Sequence, residues 1–172
     1  MFALLAIKNI FHPLFTLPSF VIMYDILTGL ALSPNATYGY DNSITPQLQA
    51  LFNNTFNYIE NRTYLDFQQV DYNTAEIKIS IDSNTPYLGY AYFPGDRPIN
   101  SDIFLSDELL YVENQYLQQY VISHEVVHAI GLNHTVRQDS VVSEVIDLNS
   151  LNLFPTAFDL WAIETNYLIS QF

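Results

Sequence analysis

The chain has 172 residues, 18 acidic and 5 basic side chains and no cysteine, which gives a formal charge of −13. Its length and 49% apolar content fit one domain with a real core and exclude disorder. So few basic residues exclude nucleic acid as a main partner, because nothing supplies counterion release, and the lack of cysteine removes disulfides, thiolate metal sites and thiol nucleophiles together.

The first thirty-odd residues are apolar. Between Lys8 and Asp25 lie sixteen uncharged residues, interrupted by His12, Pro13 and Pro18. A membrane span needs about 20 apolar residues in a row, so no transmembrane span is expected. No basic residue precedes the run Phe2–Ile7, so a signal peptide is not evident either. Residues 1–32 read as an apolar arm, packed on its own domain or on a protein partner, and residues 33–172 as one domain. Thr45-Pro46 supplies an N-cap and a first-turn proline. Leu48, Leu51, Phe52, Phe56 and Ile59 then recur at three and four, which predicts a helix over about 46–61. Leu65–Val70 predicts a strand. Glu76–Ile81 alternates, placing Ile77, Ile79 and Ile81 on one face. Gly89–Phe93, stopped by Pro94-Gly95, gives a third strand with Tyr90 and Tyr92 on one face and Ala91 on the other. Ile103–Leu105 is a short fourth. Helices follow over about 115–130 and about 157–169, the last capped by Thr156 with Leu160, Ile163 and Tyr167 facing inward. The order predicts an α/β or α+β fold with a mixed sheet of four to five strands.

The chemistry lies in residues 124–134, HEVVHAIGLNH. His124 and His128 stand four apart on the predicted second helix, so both imidazoles leave one face and can reach one metal ion. Gly131 stands where the helix must stop, since glycine accepts the left-handed conformation that reverses the chain and brings His134 back. Three neutral nitrogen ligands leave a tetrahedral zinc with one open position, the arrangement of a catalytic site. Glu125, beside the first ligand, is placed to take a proton from water activated there. Five fixed positions arise by chance with a probability on the order of 10⁻⁴ or below. That outweighs the ordinary reading of each histidine as a packed or surface side chain.

HEVVHAIGLNH resembles the long zinc motif HExxHxxGxxH of the metzincin metalloendopeptidases. Leu88–Gly95 (LGYAYFPG) and Ser101–Asp107 (SDIFLSD) resemble the edge strand and following strand of serralysin- and matrixin-type domains. Pro155–Leu168 is similar to their C-terminal helix, with Asp159 and Ile163 in its Asp-x-x-x-Ile pattern, and Tyr24–Gly29 (YDILTG) is faintly similar to the opening of the serralysin domain. The resemblance implies a metzincin-like twisted sheet with an active-site helix and a C-terminal helix. It also implies a zinc-dependent endopeptidase acting on peptide or protein substrates. One catalytic zinc would sit on His124, His128 and His134, with Glu125 as general base. An extended substrate would add as a strand along Gly89, Tyr90 and Ala91, although the same segment also reads as a plain core-facing strand. The chain from Val141 onward would wall a pocket for an apolar side chain.

The chain also departs from the family pattern. The methionine beneath the ligands falls on Val142, which keeps an apolar floor without thioether polarisability. The serralysin tyrosine falls on Glu144, which when ionised cannot donate to an oxyanion. Tyr90 and Phe104 stand where matrixins carry histidines for a structural zinc, so a single zinc is expected. Neither Gly-rich calcium repeats nor a propeptide-type cysteine is present. Asp96, Asp102, Asp107 and Glu108 cluster around strand loops and make Ca2+ a second candidate cation, though without regular ligand spacing the solvated-surface reading is plainer. The glycosylation-type sequences at Asn35, Asn53, Asn61 and Asn133 read as accidents of composition. The competing function is a structural or binding subunit of a larger assembly, such as a virion or tail component, that keeps the zinc site. Glu125 separates the two readings, since a structural metal has no need of it. A zinc hydrolase of non-peptide amides is a third class. An acidic, cysteine-free chain fits an extracellular or particle-associated protein.

Overall fold

The computed structural model describes residues 2–4, 25–95, 100–148 and 150–172. Readings placed on residues 5–24, including most of the apolar arm, and on Asp96 lie outside the described residues. Helix α1 (Pro46–Glu60) forms where its spacing predicts. The Thr45 side chain accepts the Leu48 amide, Pro46 opens the first turn, and Leu48, Phe52, Phe56 and Ile59 are buried. Enclosing each such side chain is worth about 1.5–3 kcal/mol, so this face fixes α1 against the sheet.

The sheet runs β1 (Phe2–Leu4), β5 (Gly89–Tyr92), β6 (Ile103–Leu105), β4 (Ile77–Ile81), β2 (Asn35–Tyr40) and β3 (Asp66–Gln69), in that spatial order. Strands β3, β2, β4 and β6 are parallel, β5 lies antiparallel to β6, and β1 lies antiparallel to β5. The mixed sheet is thus the five strands β2–β6, mostly parallel, with the three residues of β1 along its outer edge. Strand β2 has no counterpart among the predicted elements. Alternation holds along β5, where Gly89 and Ala91 are buried and Tyr90 and Tyr92 are half-buried. Tyr90 stacks on Phe104 at 4.9 Å and 14° on the face away from the helices. In β4, Ile77 and Ile79 are buried but Ile81, at the strand end, is only half-buried.

Helix α2 (Gln115–Ala129) packs on α1, β5 and β6, and every residue from Gln118 to Ala129 is buried. Three of its buried polar side chains have partners. Gln118 donates to the Leu109 carbonyl at 3.0 Å, Gln119 to Thr55 Oγ1 at 2.8 Å and Ser123 to the Leu153 carbonyl at 2.6 Å. Helix α3 (Ala157–Ser170) starts at Thr156 with a capping box closed by Asp159. Its inner face differs from the predicted one. Asp159, Ala162, Ile163 and Asn166 are buried, whereas Leu160 and Tyr167 are half-buried, Tyr167 stacking on Tyr64 at 4.1 Å. Two polar residues turn inward because backbone groups meet them there. Asn166 takes the Gly29 amide at 2.8 Å and gives its own amide to the Leu30 and Gly131 carbonyls at 2.5 and 3.1 Å. Among the described residues no helix is long and apolar enough to cross a membrane.

Candidate metal centre

The last two turns of α2 carry His124 and His128 on one face. The helix stops at Gly131, whose φ of +113° disfavours any residue with a side chain. A Cβ there would also lie 1.9 Å from the Leu30 carbonyl oxygen, so conformation and packing both demand glycine. Beyond it the chain is gripped twice. Leu132 bridges to Leu27, and the Asn133 amide donates to the Ile26 carbonyl at 2.8 Å. The Thr135 amide then donates to the Val142 carbonyl at 3.1 Å, and the Glu144 amide to the Thr135 carbonyl at 2.9 Å. His134 sits between these two grips.

The three rings converge. Their Nε2 atoms are 2.9 Å (124 to 128), 3.1 Å (124 to 134) and 3.2 Å (128 to 134) apart. The circle through such a triangle has a radius of about 1.8 Å, inside the zinc–nitrogen distance of about 2.0–2.1 Å, so one ion can touch all three. Protonation agrees. His124 Nδ1 lies 2.8 Å from the Val141 carbonyl and His128 Nδ1 lies 2.6 Å from the Leu132 carbonyl. A carbonyl only accepts, so both Nδ1 atoms carry the proton and both Nε2 atoms present lone pairs to the centre. Burial, then the other imidazoles, brings His124 down to about 3 and His128 well below the ordinary histidine value, and burial lowers His134. The Nε2 atoms of His124 and His128 face each other with no donor between them, and a cation is a partner they fit. Among the described residues these histidines form the group of three His, Asp or Glu side chains able to share one ion.

Glu125 is fully buried, and neither carboxylate oxygen has a hydrogen-bond partner among the described residues. Burial pushes its carboxyl well above the usual range. Gly89 lies against it, since a Cβ at that position would come within 3.0 Å of Glu125 Cγ. Two positions on along the same strand face, the Ala91 side chain is buried, and Phe93 then meets His128 edge-on at 6.0 Å. Tyr120 and the chain over 138–152 line a cavity of about 90 Å³, with aliphatic Val145, Ile146 and Leu151 and polar Gln138, Ser140, Ser143, Asp147, Ser150 and Asn152. Tyr120 stands one helical turn before His124, with its ring 5.8 Å away. That spacing was the available signal for it, but an aromatic residue on a helix reads first as core.

The matrixin family profile matches residues 35–168, from the start of β2 through most of α3. The chain belongs to the matrixin family. Matrix metalloproteinase-B of Caenorhabditis elegans is 30% identical over 82 residues, covering 42% of this chain and 16% of that protein. An extracellular metalloprotease of Colletotrichum graminicola is 35% identical over 69 residues, covering 36% of this chain and 25% of that protein. The matched stretch thus spans a quarter or less of either relative. Matrixin membership agrees with the mixed sheet and three helices and supports a metalloprotease-type domain; the family implies zinc binding, and the three histidines could share one such ion.

Within this matrixin domain the departures have definite places. Val142 is fully enclosed in the turn over residues 140–143, and the adjacent cavity is lined by Ser140 and Ser143 rather than by Val142. Glu144 is exposed. Tyr90 bonds through its hydroxyl to Asp82 at 2.8 Å. Of the acidic residues raised for calcium, Asp102 accepts the Lys78 amide at 3.1 Å, and Asp107 and Glu108 occupy the first turn of the 3₁₀ helix Asp107–Tyr111. Asp159, recognised in the sequence only as part of a helix pattern, reaches the turn beside His124.

Proposed function

We propose that the chain is a zinc-dependent endopeptidase in which His124, His128 and His134 hold the catalytic zinc and Glu125 is the general base. The observation that carries this reading is three imidazole Nε2 atoms within 3.2 Å of one another, next to a buried carboxylate with no hydrogen-bond partner among the described residues. Bound zinc would supply Lewis acidity, lowering the pKa of water and polarising the scissile carbonyl. The protein does the rest. The Val141 and Leu132 carbonyls keep His124 and His128 in the tautomer that offers Nε2. A Glu125 carboxylate oxygen takes a proton from the attacking water and returns it to the departing amine. Enclosure of Glu125 removes competing hydrogen bonds, and burial raises its carboxyl above the usual range, the direction that makes it a better proton acceptor when ionised.

This arrangement favours catalysis over a purely structural metal site. Burying a carboxylate without hydrogen bonds costs several kcal/mol unless the group is compensated, and a structural site offers nothing in return for Glu125. The substrate runs as an added strand along the outer edge of β5, through backbone groups of Gly89, Tyr90 and Ala91. Phe2–Leu4 already pairs with that edge in the register Phe2 to Tyr92, Ala3 to Ala91 and Leu4 to Tyr90, so substrate competes with the chain's own segment. The cavity lined by Tyr120 receives one substrate side chain. At about 90 Å³ it is smaller than the roughly 150 Å³ that accommodates benzene, which favours a small or mid-sized side chain over an aromatic one. An extracellular working site is in keeping with the relative that carries that word in its name.

The test compares the zinc-loaded chain with Glu125→Gln on unfolded protein and on a peptide library. Wild type is expected to hold one zinc per chain and to cleave. Glu125→Gln should keep its zinc and lose about 10²- to 10⁴-fold in kcat. Equal cleavage by both, or none by the zinc-loaded wild type, overturns the assignment.

A further inference from the structure

The hydrogen bonds of one buried carboxylate lead from the C-terminal helix to the histidine cluster. Asp159 is fully enclosed, and among the described residues no cation pairs with it. Four donors meet it instead. Oδ2 accepts the Thr156 amide at 2.8 Å and the Thr156 hydroxyl at 3.0 Å, which belong to the capping box. Oδ1 accepts the Ser140 hydroxyl at 2.5 Å, and Oδ2 also accepts the Val141 amide at 2.9 Å. A capping box needs only the Thr156 contacts. The other two tie α3 to a turn 18 and 19 residues upstream.

That turn touches the metal centre on two sides. The Val141 peptide, its amide held by Asp159, presents its carbonyl to His124 Nδ1 at 2.8 Å. Ser140, while donating to Asp159, accepts the Val142 amide at 3.1 Å. Val142 in turn accepts the amide of Thr135, the residue directly after His134, at 3.1 Å. One carboxylate therefore anchors the backbone that sets the ring of His124 and the reach of His134.

We propose that Asp159 is a positioning residue for the metal centre, acting through Val141 on His124 and through the Val142–Thr135 pair on His134. This rests on the reading of the three histidines as a zinc site. The carboxylate is needed because every group facing it is a donor. Asparagine would turn its own NH₂ toward one side of that donor set, leaving donor against donor. Partners behind metal ligands typically change metal affinity or activity 10- to 100-fold, and Asp159 acts one bond further out, so the lower end applies.

The experiment uses the full chain with zinc, titrated against a chromophoric chelator, and with Co2+ for its visible d–d spectrum. Asp159→Asn, shown to be folded by circular dichroism, should bind zinc about tenfold more weakly and shift the cobalt spectrum. Thr156→Ala keeps both bonds to the turn. It should melt at a lower temperature yet retain wild-type zinc affinity and cobalt spectrum, which separates positioning from helix capping. Should Asp159→Asn fail to fold, Ser140→Ala, which removes one of the turn's two bonds to Asp159, should weaken zinc by about threefold. Unchanged zinc affinity and cobalt spectrum in the folded Asp159→Asn, or in Ser140→Ala where it takes its place, overturns the inference. So does Thr156→Ala weakening zinc as much as Asp159→Asn. Wild type that binds no zinc refutes the zinc-site reading itself.

Discussion

Gly89 is where the sheet touches the proposed base, and Gly89→Ala probes that contact with the smallest possible change. The added Cβ would lie 3.0 Å from Glu125 Cγ, 3.2 Å from Val121 Cγ1 and 3.3 Å from Glu125 Oε1. Carbon pairs rest at about 3.5–4.0 Å, so the overlap is roughly half an ångström. Strand β5 cannot easily retreat, because it is paired with β6 on one side and β1 on the other, and α2 is enclosed on every side. The Glu125 side chain therefore gives way. Overpacking costs about 1–3 kcal/mol, and the stiffer unfolded chain returns about 0.4–1 kcal/mol, so the net loss of stability is about 1–2 kcal/mol. Catalysis suffers more. A displacement of 1 Å can cost about 10²-fold, so half of that should lower kcat about tenfold. Zinc affinity should hold, since no ligand nitrogen is among the atoms the Cβ meets. The assay is kcat and KM on a quenched fluorescent peptide, alongside zinc titration and thermal melting. A kcat within twofold of wild type in the folded, zinc-loaded variant would refute the placement of the base.

Two further outcomes follow from the same geometry. A chain comprising residues 25–172 lacks the segment that pairs with β5, so its KM for extended peptides should fall several-fold at unchanged kcat; equal KM values would mean that the β5 edge is not the path of the substrate. The metal-free chain should be labile to acid. Its folded state holds His124 neutral down to about 3, and His128 and His134 also below their ordinary value, whereas the unfolded chain protonates near pH 6.5. The unfolded state binds more protons in that window, so this stability is fully present above about pH 6.5 and is lost as the pH falls through the folded values. Glu125 has the opposite sign, because its raised carboxyl stabilises the folded state below about pH 4.5 and loses that contribution as pH rises through its folded value. With three histidines against one glutamate, the urea midpoint of the chelated chain should drop from pH 7 to pH 4, and a rise would contradict the buried neutral imidazoles.

The elements that were legible in the sequence carry their signals locally. Thr45-Pro46 and Thr156 cap α1 and α3 with their own side chains, and the four residues of β5 alternate as their order implies. Strand β2 carries no such signal. Its sequence Asn35-Ala-Thr-Tyr-Gly-Tyr mixes strand formers with asparagine and glycine, and its conformation comes from parallel neighbours on both sides. Gly39 makes room there for the loop that follows β3, since a Cβ would lie 2.7 Å from Tyr72 Cα. The inner face of α3 was hidden for a related reason. Hydrophobic spacing points to Leu160, Ile163 and Tyr167, but Asp159 and Asn166 turn inward to backbone groups of Gly29, Leu30, Gly131 and Val141, whose arrival depends on the whole topology.

The metal centre divides along the same line. Its ligands are side chains at fixed spacing on a helix and past a glycine, and spacing survives in the sequence. What orients them is backbone. The carbonyls of Val141 and Leu132 set two of the three rings, and nothing in the identity of a valine or a leucine advertises a carbonyl. This bears on the missing methionine. Val142 is enclosed and meets its neighbours through main-chain groups, its amide on Ser140 and its carbonyl on Thr135. Those bonds do not depend on which side chain fills the space. Exchanging methionine for valine therefore changes how the core under the turn is packed while leaving intact the hydrogen bonds that run from Asp159 to His124.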